Sequence, residues 1–320
     1  MILGILDSAC QQGFLYALAV FGIVLTLRTL NWPDLTVDGS FTLGGAVLAT
    51  MLTSGHSPLA AMIVAAFAGV IAGNVTCLLN RKLGISRIMS GILVMLVLYS
   101  VNLRIMGRAN ISLLRTVTLF TRFEDRGVGD LGRIFAFSAI MLTAFVVLCY
   151  LAMTRLGLFL RAAGDNEFMV QAQGVNTNWL YLMGLGLSNG LVALSGALVA
   201  QNQGFADVGM GTGLIVTGIA ALILGEGLLA AVGLLGRLIT KSSQTEPGRI
   251  TKGRLLPWEA FGEFTAAAVG AFFYFLIVAI CLRVGLAPTD LKLATGILVI
   301  VGIALQLRGP VVETYARGRL

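Results

Sequence analysis

Residues 154–178 read TRLGLFLRAAGDNEFMVQAQGVNTN and separate two apolar runs, at about 134–154 and 179–202. Each run approaches the about 20 apolar residues that a helix needs to cross a bilayer. Arg155 and Arg161 mark the stretch between them as cytoplasmic, because basic residues accumulate on that side of membrane proteins. The stretch is therefore predicted to link two membrane spans at the cytoplasmic surface.

A short helix is predicted within this link, over residues 165–173. Gly164 breaks the chain, and Asp165 is a good N-cap for a new helix. Glu167 falls in the first turn, where the helix dipole favours an acid, and Gly174 is a good stop at the other end. This helix is expected to lie across the membrane surface.

The predicted helix exposes three apolar side chains, those of Phe168, Met169 and Val170. A short, capped helix with a few apolar side chains suits docking into a groove on a partner protein. The segment is therefore interpreted as a docking element rather than a plain connection.

The composition of the whole chain places it among membrane proteins. Of its 320 residues, 57% are hydrophobic and only 12% are charged, whereas a soluble domain carries about 25% charged residues. Further apolar runs lie at about 13–30, 38–53, 58–80, 88–107, 212–235, 260–283 and 291–307. The prediction is an all-α, polytopic transmembrane helical bundle of about eight to ten spans, formed by a single domain over 1–320.

Two of these runs contain glycine-rich interruptions. The second, at 38–53, is short and rich in Gly and Thr, which favours a re-entrant or broken helix. The seventh, at 212–235, is interrupted by Gly225-Glu226-Gly227 and is expected to end early or kink there. The segment 236–258 is basic and rich in Ser, Thr and Pro, and its role is left open.

The distribution of charge favours one topology. Nine spans with a cytoplasmic 155–178 segment put the N-terminus outside and the C-terminus inside, and most of the 22 Lys and Arg residues then face the cytoplasm. The net charge of +7 is thus interpreted as a topology signal and not as nucleic-acid binding. The chain has four widely spaced cysteines and one histidine, so no metal site, cofactor site or disulfide is predicted.

A weak internal repeat relates the two parts of the chain, about 13–107 and 179–309. Gly91-Ile92-Leu93-Val94 opens an apolar run in the first, and Gly296-Ile297-Leu298-Val299 opens one in the second. Under the topology above, corresponding helices run in opposite directions. The prediction is an inverted repeat, an architecture common among transporters.

Residues 154–176 also resemble a known family. Their pattern Thr-Arg-Leu-Gly, Arg-Ala, Gly-Asp-Asn and Gly-Val-Asn is similar to the cytoplasmic coupling segment of ABC importer permeases of the branched-chain amino acid and ribose/galactoside branch. LGLSNGLVALSGAL at 185–198 looks like the helix that follows in that family. QGFAD at 203–207 and Gly225-Glu226 are similar to its tryptophan/tyrosine-type subgroup.

The resemblance covers about residues 16–309 and implies a transport role in the bacterial inner membrane. Two permease subunits, identical or related, would form the path for a small solute, and an extracytoplasmic binding protein would deliver that solute. Separate ATPase subunits would dock on the 165–173 helix of the coupling segment 155–178, and the sequence itself contains no phosphate-binding loop. The residues assigned to this ATPase coupling are Arg161, Gly164, Asp165, Glu167, Phe168, Met169 and Gly174.

Five polar residues are candidates for the translocation path, namely Asp38, Ser188, Asn189, Asn202 and Asp207. The two acids either flank the path or cap helices, since Asp beside Gly is a common helix start. The amides and the serine either line the path or tie helices together by hydrogen bonds. Glu226 is expected to pair with a basic residue near the cytoplasmic end.

Other functions are less consistent with the sequence. An ion-gradient-driven secondary transporter would fit the repeat and the intramembrane acids, but it leaves the capped helix unexplained. A membrane enzyme would need a cluster of catalytic groups, and no paired carboxylates or nucleophile–base set stands out. The importer permease is therefore the favoured function, with its solute open between an amino acid and other small metabolites.

Overall fold

A computed structural model describes residues 2–114, 116–121, 129–231 and 257–285, together with residues 293 and 296. Within these residues the helices are α1 (Ile2–Val24, continued by a π-helical turn at Leu25–Thr29), α2 (Thr36–Thr53), α3 (Pro58–Leu83), α4 (Arg87–Met106), α5 (Gly129–Met153), α6 (Arg155–Asp165), α7 (Glu167–Ala172), α8 (Thr177–Gln203), α9 (Leu214–Ala231) and α10 (Pro257–Arg283). Two short strands are β1 (Asn110–Ser112) and β2 (Phe205–Asp207). The predicted run 291–307 and most of the segment 236–258 lie outside the described residues.

The chain is a polytopic helical membrane protein, as the sequence predicts. Among the described helices, six are long and apolar enough to cross a bilayer, namely α1, α3, α4, α5, α8 and α10. The helices α2 and α9 have 18 residues each. Both are continuous, so the predicted break in 38–53 is wrong, and α9 passes through Gly225–Gly227 rather than ending there. Glycine in these helices serves close packing against neighbours.

Helix ends follow local signals in the sequence. Ser57 caps α3 by accepting a hydrogen bond from the Ala60 amide, and Pro58 occupies the first helical position. Gly84 ends the same helix in the left-handed conformation, with φ of 68°. A side-chain oxygen before the first turn and a glycine after the last one satisfy groups that have no partner within the helix.

The helix α8 lies at the centre of the bundle and contacts α1, α2 and α3. It approaches two of them with almost no side chain between the backbones. A Cβ at Gly44 would lie within 1.8 Å of the Ala193 carbonyl oxygen, and one at Gly73 within 2.3 Å of that of Leu185. Only glycine permits this spacing, which is the usual reason for its abundance in membrane helix contacts.

Two groups of connections lie at opposite ends of the bundle. At one end, the guanidinium of Arg87 donates to the Asn31 carbonyl, and Gly164 packs against the carbonyl of Thr29. The connections that the sequence assigned to the cytoplasm thus lie together. At the other end β1 and β2 pair antiparallel, with Asn110 opposite Asp207.

The described helices form two similar series, α1–α2–α3 and α8–α9–α10, each with an 18-residue helix between longer ones. The helices α1 and α8 pack antiparallel, because Ser188 contacts Gly22 whereas Ser195 contacts Leu15. This order is compatible with an inverted repeat. The repeat stays a prediction, since its last helix would lie outside the described residues.

Candidate functional site

The segment 154–178 folds into the two helices α6 and α7. Thr154 caps α6 through its hydroxyl oxygen, which accepts from the Gly157 amide. The helix runs through to Asp165, and Asn166 is the N-cap of α7, accepting from the Met169 amide at 3.1 Å. The predicted cap at Asp165 is therefore wrong by one residue. Asn166 adopts the extended backbone, which a capping residue requires.

Gly164 does not break the chain but allows a close contact. A Cβ at this position would lie 2.3 Å from the carbonyl oxygen of Thr29. The glycine therefore lets the end of α6 pack directly on the connection between α1 and α2. Gly174, at φ of 78°, follows α7 in the left-handed conformation and allows the turn towards α8.

The helix α7 has one exposed and one buried face. The side chains of Phe168 and Met169 are 82% and 45% exposed, whereas Val170 is 0% exposed. Val170 packs in an apolar cluster with Leu30 and Tyr181. The expectation that Val170 is exposed is thus wrong, because a six-residue helix on a surface needs one side chain that anchors it.

Arg161 is also buried and faces the bundle. It lines a small apolar cavity together with Leu148, Leu187 and Phe264, from α5, α8 and α10. The assigned coupling residues therefore separate into two groups. Phe168 and Met169 are available to a partner, whereas Arg161 and Gly164 hold α6 against the membrane helices.

Glu167 connects α7 to three other elements of the cytoplasmic end. Its Oε1 accepts from the Arg81 guanidinium, from the Thr177 hydroxyl at 3.1 Å and from the Gln171 amide at 3.1 Å. Its Oε2 lies 3.7 Å from Nη2 of Arg87. Burial raises the pKa of Glu167, but the hydrogen bond and positive charge of Arg81 outweigh it, and the pKa lies below its ordinary value.

The two arginines stack on buried aromatic rings beneath α7. The Arg81 guanidinium lies 4.2 Å from the ring centre of Tyr181, and that of Arg87 lies 5.0 Å from Trp32. The Tyr181 hydroxyl donates to the Ala163 carbonyl at the end of α6. We refer to Glu167, Arg81, Arg87, Tyr181 and Trp32 as the clasp.

The clasp was not foreseen from the sequence. Arg81 and Arg87 were counted only among the basic residues that face the cytoplasm, and Trp32 and Tyr181 lie far from both along the chain. The available signal was an acid in the first turn of a surface helix and two arginines between the predicted runs 58–80 and 88–107, a connection that the favoured topology places on the same side. That pairing of charges would have suggested a contact, although not its geometry.

Asp38 caps a helix other than its own. Its carboxylate accepts from the amides of Gly213 and Ile215 at 2.9 and 3.0 Å, at the start of α9. This geometry favours the capping interpretation of the residue over a place on the path. Since the first amides of a helix have no partner within it, a carboxylate there is stabilising.

Ser188 and Asn189 are both buried within α8 and tie helices together. The Ser188 hydroxyl donates to the Gly22 carbonyl of α1 at 2.7 Å. The Asn189 amide nitrogen donates to Asp34 at 2.7 Å, and its oxygen accepts from Ser40 at 2.6 Å. Asp34 is a further buried acid, which the sequence analysis did not single out.

The two remaining path candidates lie at the outer end of the bundle. Asn202 is half-buried in the last turn of α8. Asp207 lies in β2, where its carboxylate accepts from the Gly209 amide at 2.8 Å and from the Asn110 side chain at 3.4 Å. Glu226 forms an ion pair of 2.7 Å with Arg28 at the cytoplasmic end, in agreement with its predicted pairing.

Comparison with known proteins gives one family and several relatives. The family described as branched-chain amino acid transport system, permease component, matches residues 5–245. A tyrosine transport system permease protein of Clostridioides difficile is 36% identical over 302 residues, or 93% of this chain and 90% of its own. The ribose import permease protein of Escherichia coli K12 is 28% identical over 237 residues, or 73% and 72%. No solved structure matches the chain.

Proposed function

Since the chain belongs to the permease component family of branched-chain amino acid transport systems, and so is the membrane permease of an ABC importer, we propose that α7 docks a separate ATPase subunit. The observation that carries this proposal is Phe168. Its aromatic side chain is 82% exposed on a helix that is otherwise firmly held. A large apolar side chain on a capped surface helix is typical of an anchor for a groove on a partner.

The location of α7 supports the same role. It lies at the end of the bundle that carries Arg81, Arg87 and the ion pair of Arg28 with Glu226. Basic residues at membrane boundaries mark the cytoplasmic side, where ATP is available. The ATPase would therefore meet Phe168 and Met169 from the cytoplasm, while the buried Val170 keeps α7 on the permease.

The solute is proposed to be an amino acid or a similar small metabolite. The relative from Clostridioides difficile is described as a tyrosine transport permease, and it matches this chain over nearly its whole length. A binding protein would deliver the solute to the outer end, where Asn202 and Asp207 would flank the entrance to the path. Asp38, Ser188 and Asn189 would act by holding the surrounding helices. Two copies of the chain would form the complete path.

The proposal is tested by purifying the chain, through a tag, from cells that also express the ATPase and binding protein of its own transport system. ATP hydrolysis is measured in nanodiscs with the binding protein empty or loaded with tyrosine, leucine or ribose. Loaded binding protein should stimulate hydrolysis, and the most effective solute identifies the cargo. A chain that purifies without ATPase would contradict the docking role.

The variant Phe168→Ala isolates the contribution of α7. Removing an interface anchor typically costs about 2 kcal/mol or more, which weakens binding by about thirtyfold. Phe135→Ala is the matched control, because Phe135 is 72% exposed on α5 rather than on α7. We expect only Phe168→Ala to lower the amount of co-purified ATPase. Equal retention by both variants would rule out Phe168 as the anchor.

A further inference from the structure

We propose that Arg81 is a positioning residue of this importer. Its salt bridge to Glu167 fixes α7 to α3 and α8, so that the movement of a docked ATPase reaches the membrane helices. The inference rests on the proposed docking role of α7. It adds the element through which that docking would act.

The mechanical need for such a contact follows from the shape of α7. This helix has only six residues, and its preceding link is the single extended residue Asn166. A turn ending at Gly174 follows it. Val170 anchors one face through apolar contacts, which have no directional preference. A directional bond is therefore required to stop α7 from rotating about its two ends when a partner pushes on Phe168.

Arg81 has the geometry for that bond. Its side chain and that of Glu167 are each 19% exposed, so the pair is largely shielded from water. Within the part of the chain that the structure describes, Nε and Nη2 of Arg81 are buried and donate to no hydrogen-bond acceptor. Glu167 is thus the group that compensates the Arg81 charge, and separating the two would leave a buried charge.

The bond also joins several helices at one point. Arg81 lies in the last turn of α3, and the same Glu167 oxygen accepts from Thr177, the first residue of α8. Tyr181, one turn further along α8, contacts the Arg81 guanidinium with its ring and α6 with its hydroxyl. A displacement of α7 would therefore be shared by α3, α6 and α8.

Arg87 is the weaker partner in the clasp. Its nearest distance to Glu167 is 3.7 Å, and its guanidinium is also engaged by the Asn31 carbonyl and the Trp32 ring. Lys82, next to Arg81, is exposed and provides a control of equal charge. Arg81 is thus the closer basic partner of Glu167 and Arg87 the more distant one, and Lys82 serves as the control.

The test uses the full importer in nanodiscs, reconstituted with its ATPase and binding protein. Variants are Arg81→Gln, Glu167→Gln, the double variant, Arg81→Lys and the control Lys82→Gln. Two quantities are measured for each, namely the ATPase retained on the permease and the solute transported per ATP hydrolysed. The second quantity separates positioning from docking, because a merely structural defect would lower the yield of complex and not this ratio.

We expect Arg81→Gln and Glu167→Gln to retain the ATPase and to lower transport per ATP by about tenfold or more. The double variant should be no worse than either single one, since both remove the same interaction. Arg81→Lys keeps the charge and should recover a large part of the transport per ATP. Such a recovery would show that the loss in Arg81→Gln comes from the missing charge and not from misfolding. Lys82→Gln should match the parent.

Unchanged transport per ATP in Arg81→Gln and Glu167→Gln would overturn the positioning role. So would losses in the single variants that add in the double variant. Phe168→Ala, prepared in parallel, keeps the two proposals distinguishable. Full retention of the ATPase by Phe168→Ala rejects α7 docking, whereas loss of ATPase there with normal coupling in Arg81→Gln rejects the clasp alone.

Discussion

Replacing Gly225 with alanine should force α9 and α10 apart. A Cβ at residue 225 would lie 1.8 Å from the carbonyl oxygen of Ala266, whereas ordinary contact begins at 3.4 Å. The obstacle is backbone, so the helices must separate by the difference, about 1.6 Å. Overpacking of this kind typically costs about 1–3 kcal/mol. Among the residues that the structure describes, none lies within 4 Å of a Cβ at Gly227 on the same helix, and its φ is not strained, which makes Gly227→Ala the matched control.

Both substitutions gain the same helix propensity of about 1 kcal/mol, so the difference between them isolates the packing cost. The assay is the temperature at which the purified protein loses its monodisperse peak in size-exclusion chromatography. At about 2–4 °C per kcal/mol, Gly225→Ala should lose this peak about 2–12 °C below Gly227→Ala. Equal midpoints would mean that α9 and α10 do not cross at Gly225, and the packing argument would fail.

Three further outcomes are expected. Asp38→Asn removes the charge from the cap of α9 and should lower the stability of the protein in the same assay by about 1–3 kcal/mol. Asp207→Asn should change that stability by no more than about 0.5 kcal/mol. Equal effects of the two variants would contradict the capping role of Asp38. Asn189→Ala leaves the Asp34 carboxylate without its amide donor and should cost about 3 kcal/mol or more, and a variant as heat-stable as the parent would disprove that link. The pKa of Glu167 lies below its ordinary value of 4.5 in the folded protein. The ionised carboxylate therefore stabilises the fold fully above pH 4.5, and this stabilisation is lost as the pH falls through the folded pKa. Protease cleavage of the 154–178 segment should therefore rise below pH 4.5 in the parent, and a rise of equal size in Glu167→Gln would contradict this assignment.

Much of the fold follows from the sequence, because a bilayer imposes its thickness on every apolar run. The predicted runs 58–80 and 88–107 correspond to α3 and α4 within a few residues. Ser57 and Gly84 also act as the start and stop signals that their types suggest. Hydropathy and capping are local properties, so a single sequence contains them.

Glycine is the residue whose role was misjudged. The cluster at 38–45 was interpreted as a re-entrant or broken helix and the cluster at 225–227 as an early end or kink, yet α2 and α9 pass through them. A glycine weakens a helix and also permits a second backbone to approach, and only the neighbour decides which effect matters. That neighbour is Ala193 for Gly44 and Ala266 for Gly225, both distant along the chain.

The candidate site was predicted in outline but not in its contacts. The sequence located a capped helix with exposed apolar side chains, and α7 lies within the predicted range. It assigned the cap to Asp165 rather than to Asn166, because both residue types suit that position. It also could not pair Arg81 with Glu167, since 86 positions separate them.

The bond between Asp34 and Asn189 has a consequence for biosynthesis. The two residues are 155 positions apart, and the acid emerges from the ribosome first. At about 5–20 residues per second, the acid waits about 8–30 s for its amide partner. When this interval begins only α1 has been made; α2 and α3 follow within it, while the central α8 is missing until its end, so the carboxylate must be hydrated or covered by the insertion machinery. Release from that machinery would then depend on the arrival of α8, which makes the Asp34–Asn189 bond a late step in assembly.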